Sequence, residues 1–235
     1  MSLRSQVEAL KPFLPPHATV MVRKQAAAPV AATPVAEPAI TPSPPPALLF
    51  DSLEQIAAEV RTCTRCKLCE GRTNVVPGEG NPRARIVFVG EGPGEQEDLQ
   101  GRPFVGKAGH LLDKMIEAMG LSRADVFIAN SVKCRPPGNR NPEPDEIEAC
   151  SPYLYRQLDA LKPQLVVALG KFASQTLLQT EERISTLRGR FFPYRGIKLM
   201  PTWHPAYLLR NPDSKREAWA DLQLVMKELG LPAKK

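Results

Sequence analysis

The chain has 235 residues, which at roughly 150 residues per domain allows one large domain or two small ones. With 43% hydrophobic and 24% charged residues it reads as an ordinary soluble globular protein, and no run approaches the ~18 apolar residues of a membrane span. A net charge of +6 and a pI near 9.1 suit a polyanionic partner without naming one.

In chain order, ten of the 25 prolines fall within the first 50 residues, beside Ala26-Ala27-Ala28 and Pro44-Pro45-Pro46. Such a segment buries too little apolar surface to offset its ordering entropy. Residues 1–49 are therefore expected to be a disordered Pro/Ala-rich extension, followed by a folded domain over 50–235. Val7, Leu10, Phe13 and Leu14 give the start of that extension an amphipathic stretch suited to docking an unidentified protein. The N-terminus lacks a charged-then-apolar pattern before a small-residue cleavage site, so a cytoplasmic protein is expected.

From Phe50 onward, strands and helices alternate. Arg85–Gly90, Val126–Asn130, Leu165–Gly170 and Ile197–Thr202 are short apolar runs, as expected of strands covered on both faces. Leu111, Leu112, Met115, Ile116 and Met119 form one face of a helix ending at Gly120, a good left-handed cap. A second helix begins after Asn141 with Pro144, Asp145 and Glu146 in its first turn, and Pro152 is expected to kink or split it. Trp219, Leu222, Met226 and Leu229 line a third, with Ser214 and Glu217 spaced as a capping box. The alternation predicts an α/β fold around a parallel sheet, with ligands outside the carboxyl ends of its strands.

Three groups of residues carry chemistry. Five cysteines, Cys63, Cys66, Cys69, Cys134 and Cys150, all lie beyond the extension. Cys63 and Cys66 have the two-residue gap that lets neighbouring thiolates reach one metal centre, and Cys134 and Cys150 are available as further ligands. The odd count argues against a disulfide framework. Spacing alone leaves zinc and iron–sulfur open, and leaves Cys66 and Cys69 as alternative second ligands.

The loop Gly90-Glu91-Gly92-Pro93-Gly94-Glu95-Gln96-Glu97-Asp98 follows the first strong strand. It lacks the dinucleotide G-x-G-x-x-G spacing and a Walker lysine, and its four carboxylates would repel phosphate. Such a loop suits a site that positions water or opposes developing positive charge. His204, within Thr202-Trp203-His204-Pro205, is the one histidine at a strand's carboxyl end; His17 lies in the extension and His110 opens a helix. Pro205 restrains its backbone to extended geometry.

GEGPGEQED, GRPFVGKAG, NSVKCRPPGNRNP and HPAYLLR, in that order, resemble the family 4 uracil-DNA glycosylases, the iron–sulfur class of their superfamily. The resemblance runs from about Leu53 to Leu229. It implies a three-layer α/β/α sandwich around a four-stranded parallel sheet. It also implies a [4Fe-4S] cluster on Cys63, Cys66, Cys134 and Cys150, with Cys69 spare. By motif, Glu91 corresponds to the residue handling the attacking water, Phe104 to the aromatic stacking on extruded uracil and Asn130 to the amide reading it. His204 corresponds to the histidine stabilising the leaving base, and Leu208 to the position that enters the duplex. Gly92 stands where other branches have an aspartate, so the water-activating carboxylate must come from elsewhere.

Arg135, Arg140, Arg188 and Arg210 lie near the motifs as expected phosphate contacts. The resemblance thus implies a monomeric DNA repair enzyme that takes uracil from single- or double-stranded DNA and turns over. The competing readings are a non-catalytic metal- or iron–sulfur-containing DNA-binding protein and a nucleotide-binding α/β enzyme.

Overall fold

The computed structural model describes residues 51–232, so the expected extension and its amphipathic stretch lie outside the described residues. Six strands form one sheet: β1 (Glu79–Gly80), β2 (Ile86–Gly90), β3 (Phe127–Asn130), β4 (Leu165–Leu169), β5 (Phe192–Tyr194) and β6 (Ile197–Thr202). Their spatial order is β1-β3-β2-β4-β6-β5. The four strands expected from the apolar runs form the parallel centre. The expected four-stranded sheet is corrected by two antiparallel edge strands, β1 on β3 and β5 on β6. Neither has an apolar run to announce it: β1 is two residues long, and β5 carries Pro193, which suits an edge.

The helices are α1 (Leu53–Arg61), α2 (Leu68–Gly71), α3 (Glu95–Gln100), α4 (Lys107–Ala118), α5 (Pro144–Leu161), α6 (Gly170–Leu178), α7 (Ile184–Leu187), α8 (Pro205–Arg210) and α9 (Lys215–Glu228). Successive strand residues face opposite sides of a sheet. Phe88, Ile128, Val167 and Met200 accordingly pack with Leu112 and Ile116 of α4 and Leu222 and Val225 of α9. Val87, Val89, Ala129, Val166 and Leu199 pack on the other side with Leu154 and Leu158 of α5 and Ala173 and Leu177 of α6. The fold is an α/β three-layer sandwich. A smaller cluster joins Ile56 and Val60 of α1, Leu68 of α2, Val132 and Tyr153 to the cysteines.

Two local expectations are corrected. Pro152 does not split α5, which runs unbroken for 18 residues. Its ring removes the N–H that would meet the Glu148 carbonyl, and both residues are exposed, where solvent satisfies that carbonyl. Ser214 does not cap α9 with its side chain. A 3₁₀ turn over Pro212–Ser214 leads straight into the helix, so Ser214 is already helical (φ −70°, ψ −7°) and lacks extended N-cap geometry. Glu217 instead accepts from Trp203 Nε1 at 2.7 Å. Gly120, with φ +82°, follows α4 as expected.

Candidate active site

The parallel strands β2, β3, β4 and β6 end together at Gly90, Asn130, Leu169 and Thr202, and Asn130 with the residues that follow β2, β4 and β6 lines one cleft of about 550 Å³. Glu91 and Gly92 follow β2, Gly170 and Lys171 follow β4, and Trp203 and His204 follow β6. Crossover topology thus brings together motifs far apart in the chain.

At its floor lies Asn130, 1% exposed, whose Oδ1 accepts no hydrogen bond among the described residues. A buried acceptor left alone costs about 1–3 kcal/mol, so this atom marks a place for a ligand donor. Gly90 is required beneath it. A Cβ there would stand 2.4 Å from Asn130 Oδ1 and 2.6 Å from Phe104 Cζ, filling the space where amide and ring converge.

Phe104 has φ +52°, a left-handed conformation that costs about 1–3 kcal/mol for a residue with a side chain. Its loop is held from two sides. Arg123 donates to the Pro103 and Phe104 carbonyls at 2.7 and 3.1 Å, while Glu97 accepts from Val105 and Gly106 N–H, both at 2.8 Å. The ring is thereby placed 5.7 Å from the His204 imidazole.

His204 is the N-cap of α8, and its Nδ1 accepts the Ala206 N–H at 3.1 Å. Burial, with help from the Arg210 charge, pushes its pKa down to about 4. The imidazole is therefore neutral at pH 7, and with Nδ1 occupied as an acceptor its proton sits on Nε2. Gly170 makes room behind it: φ is +85°, and a Cβ would approach His204 Cβ to 2.8 Å.

The four carboxylates of the glycine loop have separate fates. Glu97 ties Gly94, Val105 and Gly106 together, and Asp98 accepts from the Thr73 and Asn74 amides. Glu95 is exposed. Glu91 alone of the four lines the cleft with no hydrogen bond among the described residues to hold it. Burial raises its pKa to about 7, opposed by the charge of Lys171.

Several expected DNA contacts are placed elsewhere. Leu208 is 1% exposed, on the buried face of α8 and turned away from solvent in this structure; Leu209, 43% exposed, is the outward leucine. Arg188 is bound to the buried Asp221 at 2.7 and 3.1 Å and to the Glu217 carbonyl, and does not line the cleft. Arg140 does line it, but both its terminal nitrogens are held by Glu146, at 2.9 and 2.6 Å. Arg135 donates to Asn139 Oδ1 at 2.7 Å. Arg210 is exposed and lines the cleft.

Sequence reasoning missed Lys171, although its place just past a strand's carboxyl end was a usable signal. It also missed Lys133 and Arg72, for which no signal was available. Lys133 is 1% exposed, and its Nζ donates to the Asn130 carbonyl at 2.9 Å and to Gln157 Oε1 at 2.7 Å. Its backbone N–H donates to Cys150 Sγ at 3.2 Å, so one residue touches both the amide-bearing strand end and a thiol. Arg72 donates to Cys134 Sγ at 3.2 Å and to the Cys63 carbonyl at 2.8 Å.

All five cysteines are free and line one small apolar pocket with Arg72, Lys133 and Tyr153. Burial pushes the Cys150 thiol up to about 11 and raises Cys66 and Cys134 in the same direction.

A parallel α/β sandwich with an amide, an aromatic ring, a neutral histidine and a carboxylate at its strand ends has the layout of an enzyme that takes a planar polar ring. The chain belongs to the Uracil DNA glycosylase superfamily, whose family model matches residues 77–223. It is 49% identical over 189 residues to the Type-4 uracil-DNA glycosylase of Saccharolobus solfataricus, covering 77% of this chain and 88% of the relative. The protein of the same name from Thermotoga maritima is 49% identical over 161 residues, covering 68% and 84%. That from Archaeoglobus fulgidus is 43% identical over 184 residues, covering 75% and 92%.

Proposed function

We propose that this chain is a DNA repair glycosylase that extrudes uracil from DNA and hydrolyses its N-glycosidic bond, leaving free uracil and an abasic site. The observation that carries the reading is the convergence of the unpartnered Asn130 Oδ1 and the Phe104 ring at Gly90, with the neutral His204 ring 5.7 Å from that of Phe104. A base inside a duplex is out of reach, so it is flipped at a cost of a few kcal/mol, which a mispair or a single strand reduces. Phe104 stacks on the flipped ring. Asn130 Oδ1 accepts uracil N3–H while its Nδ2 donates to O4; cytosine presents the opposite pattern there and is refused.

As the bond between C1′ and N1 breaks, positive charge grows on the sugar and negative charge on the base. His204 Nε2–H donates to uracil O2 and stabilises the departing anion. Glu91 faces the sugar, opposes its charge and takes the proton of the water that adds to C1′.

Cys63, Cys66, Cys134 and Cys150 hold a [4Fe-4S] cluster in this reading, with Cys69 in the same wall. The donor set fits such a group: five free thiols share an apolar enclosure, with N–H groups of Arg72 and Lys133 directed at two of the sulfurs. Among the described residues no three His, Cys, Asp or Glu side chains gather at a single-ion site. Held by these four thiols, such a cluster would tie the segments after α1 and β3 to α5 and would supply a structural link, leaving the reaction to the cleft residues.

The test is incubation of the purified full chain with single-stranded and U·G duplex DNA, without added metal or nucleotide. Free uracil and alkali-labile sites are expected from both. DNA bound but intact after long incubation would instead establish a binding protein.

A pH profile tests Glu91. Its folded pKa of about 7 lies above the ordinary 4.5, so the carboxylate becomes available as a base only as pH rises through 7. Single-turnover cleavage should climb through that pH and then level off, with no limb from His204, which is neutral throughout. Glu91→Gln should cleave more slowly and lose the limb. The linked stability runs the other way: it is full below about pH 4.5 and is lost as pH rises through 7.

A further inference from the structure

The cleft is larger than one pyrimidine needs; a volume of about 550 Å³ is that of a site for a much larger ligand. Beyond the base pocket its wall is aromatic. Trp203 and Tyr207, both lining the cleft, stack with ring centroids 4.6 Å apart and planes 19° from parallel. The pair is rigidly mounted. Trp203 Nε1 donates to Glu217 at 2.7 Å, and the Arg188 guanidinium stands 6.0 Å from the indole centroid. Arg188 is itself fixed by Asp221, which also accepts from Thr202 Oγ1 at 2.6 Å. Tyr207 lies in α8, within one turn of His204. Among the described residues, Trp203 is the only ring that Tyr207 stacks on. Lys171 and Arg210 supply positive charge to the same cleft.

We propose that Tyr207, backed by Trp203, is a stacking platform for the nucleobase adjacent to the flipped uracil. The inference rests on the glycosylase reading and adds to it a second base subsite. A flipped base leaves its neighbour without one stacking partner, and a ring presented within a helical turn of His204 replaces that partner. Every base has a π-face, so the platform accepts any neighbour. It also explains a demand the base pocket does not meet. A single strand lacks the duplex that would fix its path, and cations alone grip it without setting the position of the nucleotide to be flipped.

The experiment uses the full chain and oligonucleotides carrying 2′-fluoro-deoxyuridine, which resists cleavage. 2-Aminopurine is placed on the 5′ side in one and on the 3′ side in the other. Binding of the wild type should quench 2-aminopurine on one side, because its fluorescence falls when it stacks. Tyr207→Ala, and Tyr207→Leu as an apolar replacement for the helix position, should lose that quench and bind the single strand about tenfold more weakly, within the range for one lost base–aromatic stack. Tyr207→Phe should retain both. Wild-type quench and affinity in Tyr207→Ala or Tyr207→Leu would overturn the platform while leaving uracil excision untouched. Failure of the wild type to bind or cleave uracil DNA at all would overturn the glycosylase reading, and the platform with it.

Discussion

His204→Ala is expected to slow single-turnover release of uracil by ~100-fold or more, the effect of losing one hydrogen-bond donor to an anion in a transition state. DNA affinity should change little, because the imidazole lies deep in the cleft wall and carries no charge at pH 7. His204 also caps α8 through Nδ1, so a slow Ala variant invites the objection that the helix has frayed. His204→Asn answers it: asparagine caps helices well but removes the Nε2 donor. Both variants should therefore be slow, with Asn retaining more of the thermal stability. Wild-type cleavage by either variant would remove His204 from the chemistry.

The same substitution changes acid stability. The folded pKa of about 4 lies below the ordinary 6.5, so the unfolded chain binds the extra proton between those values. The contribution of His204 to stability is full above about pH 6.5 and falls as pH drops toward 4. His204→Asn should flatten that part of the profile.

Replacing any one of Cys63, Cys66, Cys134 or Cys150 by Ala is expected to abolish the brown colour of the protein or its soluble expression. Cys69→Ala should keep ~4 Fe per chain, the complement of a four-thiolate [4Fe-4S] site. The large effect follows from where the thiols stand. They join the loop after α1, the segment after β3 and the middle of α5, and Ile56, Val60 and Leu68 give that corner only a small apolar cluster of its own. The damage should reach the base pocket, because Asn130 precedes Cys134 by four residues and Lys133 between them contacts both the Asn130 carbonyl and Cys150 Sγ. Iron assay and absorption spectra of anaerobically purified protein decide the matter. A colourless Cys69→Ala variant would exchange its role with Cys66, and zinc in the wild type would overturn the cluster.

What the chain's order of residues determined by itself was local or repeated in a pattern. Four central strands were legible because a strand covered on both faces must be apolar throughout, and each apolar run became one with ends shifted by no more than a residue. The turn at Gly120 was legible because a positive φ favours glycine. Gly90, Asn130 and His204 were legible as a site because parallel strands deliver their carboxyl ends to one edge.

Tertiary structure alone decided how charged and apolar residues were used, since that depends on neighbours distant in the chain. Arg188 looked free until Asp221, 33 residues away, claimed it, and Glu217 left its own helix cap for Trp203. Leu208 and Leu209 are indistinguishable by composition, yet the pitch of α8 buries the first and exposes the second. Arg72 meets Cys134 across 62 residues, and Lys133 meets Gln157 across 24. Apolar burial follows a period that can be read along a chain. The partner of a hydrogen bond or an ion pair has no period, and is settled only when the layers close on one another.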